Sequence, residues 1–248
     1  MMLQEKYFDE MKKVLVKIED TQKEAVSHCA DMIVDSILND GIFHILDTGH
    51  MLMFEAVGRS GGLMAVRPVD VAVTVENPAR KRARATAKPK RYLDSIEGLP
   101  AYIYDKSEIV AGDVLLIGSV SGINILPVGM ALAAHERGVK TIALTSVEYS
   151  KALESKHPSG KRLFEVCDAV LDNCAPLGDT LVDVEELGLG ICPASGIAAS
   201  YINWALQAQI VEKLVAKGKT PSIYLSNHLA AAGKHNADAI ASYEKLGY

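Results

Sequence analysis

Aromatic residues are scarce: one tryptophan, four phenylalanines and nine tyrosines make up 6% of 248 positions. With 49% apolar residues, rich in alanine, valine, isoleucine and leucine, the profile suits helices packed on a parallel sheet. Cysteine is equally sparse. Cys29, Cys167, Cys174 and Cys192 show no CxxC spacing, which sets aside the common zinc and redox motifs and leaves buried or incidental thiols of a reducing compartment. No run of about 18 apolar residues is present, so no membrane span is expected. The first residues, MMLQEKYFDEMKK, lack the apolar core of a signal peptide. A formal net charge of −5 argues against general nucleic-acid affinity. Neither GxxxxGK[ST] nor HExxH occurs, so no nucleotide loop of that type, no metal and no cofactor is expected. A soluble, cytoplasmic protein follows as the expectation. The length admits one large α/β domain or at most two small ones.

What is present centres on residues 113–146. DVLLIGSVSGIN begins with an apolar run, Val114 to Ile117, that stops at Gly118-Ser119-Val120-Ser121-Gly122. Such a run is a buried strand ending in a turn. From Asn124 the period changes. Ile125, Val128, Leu132 and Ala133 recur at helical spacing, and Arg137-Gly138 supplies a cationic last turn and a glycine stop. Residues 139–144 form a second apolar run closed by Thr145-Ser146. A strand–helix–strand unit of this kind implies a parallel sheet. At the first turn, two hydroxyls flank a strand end beside a helix start. The helix's first N–H groups have no intrahelical partner, and its dipole favours an anion. Gly118 and Gly122 let the backbone approach a ligand. Taken locally, this is either a serine-capped helix behind a tight turn or a site for a small anion such as a sugar phosphate.

Ser119-x-Ser121-Gly122-x-Asn124, followed by a helix ending at Gly138 and a strand ending in Thr145-Ser146, resembles the sugar isomerase (SIS) domain. Members of that family bind phosphosugars with a serine-rich loop. The resemblance implies a three-layer α/β/α sandwich with a five-stranded parallel, flavodoxin-like sheet of order 2-1-3-4-5 and extra N-terminal helices. In a sheet of that order the ligand binds between the first and third strands, where the direction of strand addition reverses.

Two amphipathic stripes precede the first strand. Leu3, Tyr7, Met11, Val14 and Ile18 form one, and Val26, Cys29, Ala30, Ile33, Val34 and Ile37 the other. They cover the sheet or pair with another subunit, and the SIS resemblance implies a homodimer or higher homo-oligomer. Residues 1–40 are thus a helical pair and 41–248 the α/β core of a single domain. The first strand, 42–46, runs into Asp47-Thr48-Gly49-His50, with a helix expected over 51–59. Taken alone, a strand-end histidine is more often a surface or capping residue than a catalyst. A bacterial SIS subgroup carries Gly-x-Gly-His-Ser here, then a helical acid and a Gly-Gly-Leu segment. This chain has Thr48-Gly49-His50-Met51, Glu55 and Gly61-Gly62-Leu63. The second strand is expected near Ala65-Val66. The basic run Arg80 to Arg91 reads as an anion-attracting rim, a nucleic-acid patch or a solvated face. It lacks interleaved aromatics, which disfavours nucleic acid.

Further on, His157-Pro158-Ser159-Gly160-Lys161 matches the subgroup's HPSGK turn, or is simply a local cap. Residues 178–190 read as an acidic loop. Pro193 and Ser195 suit the start of a long helix, where arabinose phosphate isomerases carry a Pro-Thr-Ser-Ser. SIS isomerases that open a sugar ring commonly use a C-terminal histidine, often from a neighbouring subunit, which points to His228 or His235. The resemblance therefore implies an aldose–ketose sugar-phosphate isomerase. Ser119, Ser121, Gly122, Asn124, Thr145 and Ser146 would hold the phosphate. Thr48, Gly49, His157, Ser195 and His228 would stand near the sugar. Glu55 would act as base, and His50 or His235 would handle ring opening. A non-catalytic phosphosugar sensor or scaffold, or an etherase or deaminase on the same fold, are the alternatives.

Overall fold

A computed structural model describes residues 2–49, 51–76, 78 and 92–248. Five parallel strands form the central sheet: β1 (Phe43–Asp47), β2 (Val66–Pro68), β3 (Val114–Gly118), β4 (Lys140–Thr145) and β5 (Ala169–Asp172). Their order is β2-β1-β3-β4-β5, as the resemblance implies. Side chains alternate between faces with period two. Phe43, Ile45, Val114, Leu116, Ile142 and Leu144 point to one core; Leu46, Leu115, Ile117 and Ala143 point to the other. Both faces are covered, which is why the strands read as continuous apolar runs rather than alternating ones.

The first core is roofed by α1 (Leu3–Thr21), α2 (Lys23–Leu38) and α8 (Ser195–Ala216). The N-terminal stripes thus cover the sheet: Val26, Cys29, Ile33 and Ile37 are buried there with Ile202, Leu206 and Ile210 of α8. The second core lies under α4 (Leu99–Lys106) and α5 (Ile125–Glu136). Helix α5 ends as its sequence suggests. Gly138 adopts φ 72°, and the Val139 N–H donates to Ala134 O at 3.0 Å. No helix among the described residues is long and apolar enough to cross a membrane.

Two expectations need correction. The helix expected over 51–59 is a single turn, α3 (Met53–Ala56). Gly58 follows at φ 67° and ends it. The acidic stretch 178–190 contains an antiparallel hairpin, β6 (Val182–Val184) with β7 (Leu189–Ile191). The loop reading failed because each strand has only three residues: Val182 and Val184 are buried on one face and Asp183 between them is exposed. The final helix is α9 (Ala232–Leu246), and His235 lies in its first turn. Ser195 opens α8 as its first helical residue, as its sequence suggests, with Ala194 at the cap. The basic run Arg80 to Arg91 lies outside the described residues.

At the start of β3, Asp113 ties the lower ends of two strands together. Its carboxylate accepts from Ile42 N at 2.8 Å, Val110 N at 2.9 Å and His44 Nε2 at 3.1 Å. Burial pushes the carboxyl up, but these donors outweigh it and hold the group below its ordinary value. A carboxyl depressed in the folded state stabilises the fold above the ordinary carboxylate range and loses that contribution as pH falls through its lowered value. Urea midpoints should therefore decline as pH is taken down from about 5. Asp113→Asn should flatten that decline; an unchanged slope would remove Asp113 as its source.

Candidate functional site

Strands β1 and β3 are neighbours with Asp47 in register with Gly118, so both run out at the same edge. Thr48 locks that edge. Its N–H and its hydroxyl both donate to Gly118 O, at 3.1 and 3.0 Å. Asp47 winds the next turn around its own carboxylate, accepting from Gly49 N at 3.0 Å and Leu52 N at 2.7 Å.

The serine loop follows β3. Ser119 N donates to Leu144 O at 3.0 Å. From Val120 to Leu126 no backbone N–H has an acceptor among the described residues, and Pro127 has no N–H. These amides lead directly into the twelve-residue helix α5. Successive unpaired N–H groups at a helix start form an anion-seeking nest, reinforced by the helix dipole. Ser119 is 7% exposed and Ser121 half-buried, and neither hydroxyl has a partner among the described residues. Gly122 makes the turn at φ 61°. It is packed from below: a Cβ there would stand 2.9 Å from Thr145 Oγ1, 3.2 Å from Leu163 Cβ and 3.3 Å from Ser150 Oγ.

Other sequence-predicted residues support this loop or stand away from it. Thr145 donates its hydroxyl to Val120 O at 2.9 Å. Ser146 donates to Ala175 O at 2.6 Å and accepts from Tyr149 N, capping α6 (Val147–Lys151). Both hydroxyls are thus spent on main chain, and these residues form the floor of the loop rather than its open face. Asn124 donates through Nδ2 to Asp94, on the 3₁₀ turn Leu93–Ser95. His157 Nδ1 accepts from Ser159 N at 3.1 Å, and Lys156 N donates to Ile123 O at 2.9 Å, which ties the HPSGK turn to the serine loop. Burial lowers the pKa of His157.

Ser195 is fully buried and donates to Asp179 Oδ2 at 2.6 Å. Asp179 Oδ1 also takes Ser195 N and Ala194 N, so a protein carboxylate already fills the start of α8. His235 lies within α9 with Nε2 3.0 Å from Ile223 O, and His228 is exposed ahead of that helix. His50 lies outside the described residues.

A cavity of about 420 Å³ opens over Thr48 and Gly49, closed by Val69, Tyr92, Asp94 and Leu126. Glu55 does not line it. That carboxylate lies 3.3 Å from Arg59 Nε and lines clefts against α8 with Trp204 and Tyr201. The structure therefore gathers Thr48, Gly49, Asn124 and the α5 start, and sets Glu55 on the other flank of α3. Asp47, Asp94 and Asp179 escaped the sequence reading. Asp47 shows a weak signal, an acid two residues before a glycine at a strand end. Asp94 and Asp179 act on residues 30 and 16 positions away, with no local mark.

A family model for the SIS domain matches residues 6–146. A UPF0309 protein of Caldanaerobacter subterraneus is 33% identical over 244 residues, covering 96% of each chain. One from Thermoanaerobacter pseudethanolicus is 31% identical over 245 residues, again covering 96% of each. Among solved structures, a phosphoheptose isomerase from Francisella tularensis aligns with a TM-score of 0.51 at 15% identity, over 86% of this chain and 100% of that one. That likeness is one of fold.

Because Gly122 combines a left-handed backbone with close packing from below, Gly122→Ala should destabilise the protein by about 2 kcal/mol. Urea denaturation would measure it. A cost indistinguishable from zero would mean that the loop is not held from below.

Proposed function

The chain belongs to the SIS domain family, and from that premise we propose that it binds a sugar phosphate and interconverts its aldose and ketose forms. The observation that carries this reading is the run of amides from Val120 to Leu126 that have no acceptor among the described residues, beside the hydroxyls of Ser119 and Ser121. A phosphate dianion satisfies such groups better than water does, because every donor is fixed before it arrives. Gly122 allows the close approach. The sugar then extends toward Thr48 and Gly49 over the crevice cavity.

Isomerisation moves a proton between C1 and C2 and needs a base within about 3 Å of the carbon acid. Glu55 is the proposed base, released from Arg59 when substrate is bound. His50 or His235 serves ring opening and the hydroxyl protons. The protein would act as a cytoplasmic homo-oligomer. Phe54 is 93% exposed, and with Ile197 and Tyr201 it forms an apolar surface suited to a second copy. A non-catalytic phosphosugar sensor is the second reading. It is favoured by the pairing of Glu55 with Arg59 and by its absence from the Thr48 cavity.

A thermal-shift screen of aldose and ketose phosphates tests both. Ser119→Ala should weaken the best hit about tenfold, the worth of one hydroxyl on a charged group. Glu55→Gln should keep binding and lower turnover by about 10²-fold or more. Binding without turnover in the native protein would leave the sensor; no stabilising sugar phosphate at all would end both readings.

A further inference from the structure

Helix α5 starts from Asn124, whose backbone has the extended conformation of a helix cap, φ −75° and ψ 160°. Its carbonyl accepts from Val128 N at 3.4 Å. An asparagine at such a position ordinarily turns its side-chain oxygen back onto the second or third N–H of the helix. Here the side chain makes no cap bond. Nδ2 instead donates to Asp94 Oδ2. An ionised carboxylate only accepts, so the amide nitrogen faces it and the side chain is held off its own helix.

One helix amide is at stake. The third residue of α5 is Pro127, which has no N–H, so an Asn124 cap could close on Leu126 N alone. That N–H has no acceptor among the described residues and is the last of the run that begins at Val120. Asp94 reaches Asn124 from outside the loop. It sits on the 3₁₀ turn Leu93–Ser95, whose Leu93 packs against the second core. Ser95 fixes the turn, donating its N–H at 3.1 Å and its hydroxyl at 2.7 Å to Tyr92 O. Asp94 and Leu126 both line the crevice cavity. By charge alone, a carboxylate beside an anion site is unfavourable. Its hydrogen bond to Asn124 gives it a use there.

We propose that Asp94 is a positioning residue: by holding Asn124, it keeps α5 from capping itself and leaves the Leu126 N–H to the phosphate. The effect on phosphate rests on the reading of the serine loop as an anion site; the restraint on Asn124 does not. Once released, Asn124 favours the capped form about fivefold, the ratio typical of an N-cap bond, and phosphate then has to displace it.

Asp94→Ala and Asp94→Asn separate this effect from charge. Both are neutral, but asparagine still offers Asn124 an acceptor. Without ligand, amide exchange at Leu126, followed by NMR, should be about fivefold slower in Asp94→Ala than in Asp94→Asn. Removing the cap as well, in Asp94→Ala combined with Asn124→Ala, should restore the fast rate. In titrations with inorganic phosphate, Asp94→Ala should bind about fivefold more weakly than Asp94→Asn. Equal Leu126 exchange in the two variants, slow exchange that persists without the Asn124 side chain, or equal phosphate affinity would each overturn the proposal. Phosphate that binds none of these proteins would instead end the anion-site reading, and slowed Leu126 exchange in Asp94→Ala would then still establish the restraint.

Discussion

The site depends on an imbalance in backbone hydrogen bonding at one edge of the sheet. Buried N–H and C=O groups in folded chains are nearly always paired. Here the carbonyl of Gly118 receives two donors from Thr48, while the amides that follow, from Val120 to Leu126, receive no acceptor among the described residues. The imbalance is directional. It leaves positive potential at the start of α5, and the topology directs that potential into the gap between β1 and β3.

The start of α8 shows the opposite outcome in the same molecule. There Asp179 supplies its carboxylate to Ala194 N, Ser195 N and the Ser195 hydroxyl. That helix start is closed by the protein itself and offers nothing to an external anion. Two helices with serines near their first turns thus differ in what their amides can still bind, because one start has an internal acceptor and the other has none among the described residues. Thr145, Ser146 and Ser150 show a related division of labour. They lie beneath the serine loop, fully buried, and shape its path; two of the three spend their hydroxyls on main chain. Gly122 fits because that floor leaves no room for a side chain.

Much of this was legible in order along the chain. Apolar runs located the central strands, and the change of period at Asn124 located α5, because those signals are local and repeat every two or every 3.6 residues. The serine loop was legible for the same reason: a strand end, two glycines and a helix start lie within eight residues of sequence. The hairpin at Val182–Val184 and Leu189–Ile191 was not, since two three-residue strands are too short to show alternation against acidic neighbours. The length of α3 was also hidden, because the turn at Gly58 ends a pattern that apolar spacing alone would have continued. Asp94 and Asp179 were invisible, as each finds its partner only after the chain has folded back.

By itself, then, the sequence determined the fold class, the strand ends and the chemical character of the serine loop, since each rests on neighbouring residues. The tertiary structure decided which hydroxyls stay open. It turned Thr145, Ser146 and Ser195 inward, left Ser119 and Ser121 without partners among the described residues, and placed Glu55 beside Arg59 on the flank toward α8. Hydrogen-bond capacity is a property of a residue type, but whether it is already spent depends on what the fold brings within about 3 Å.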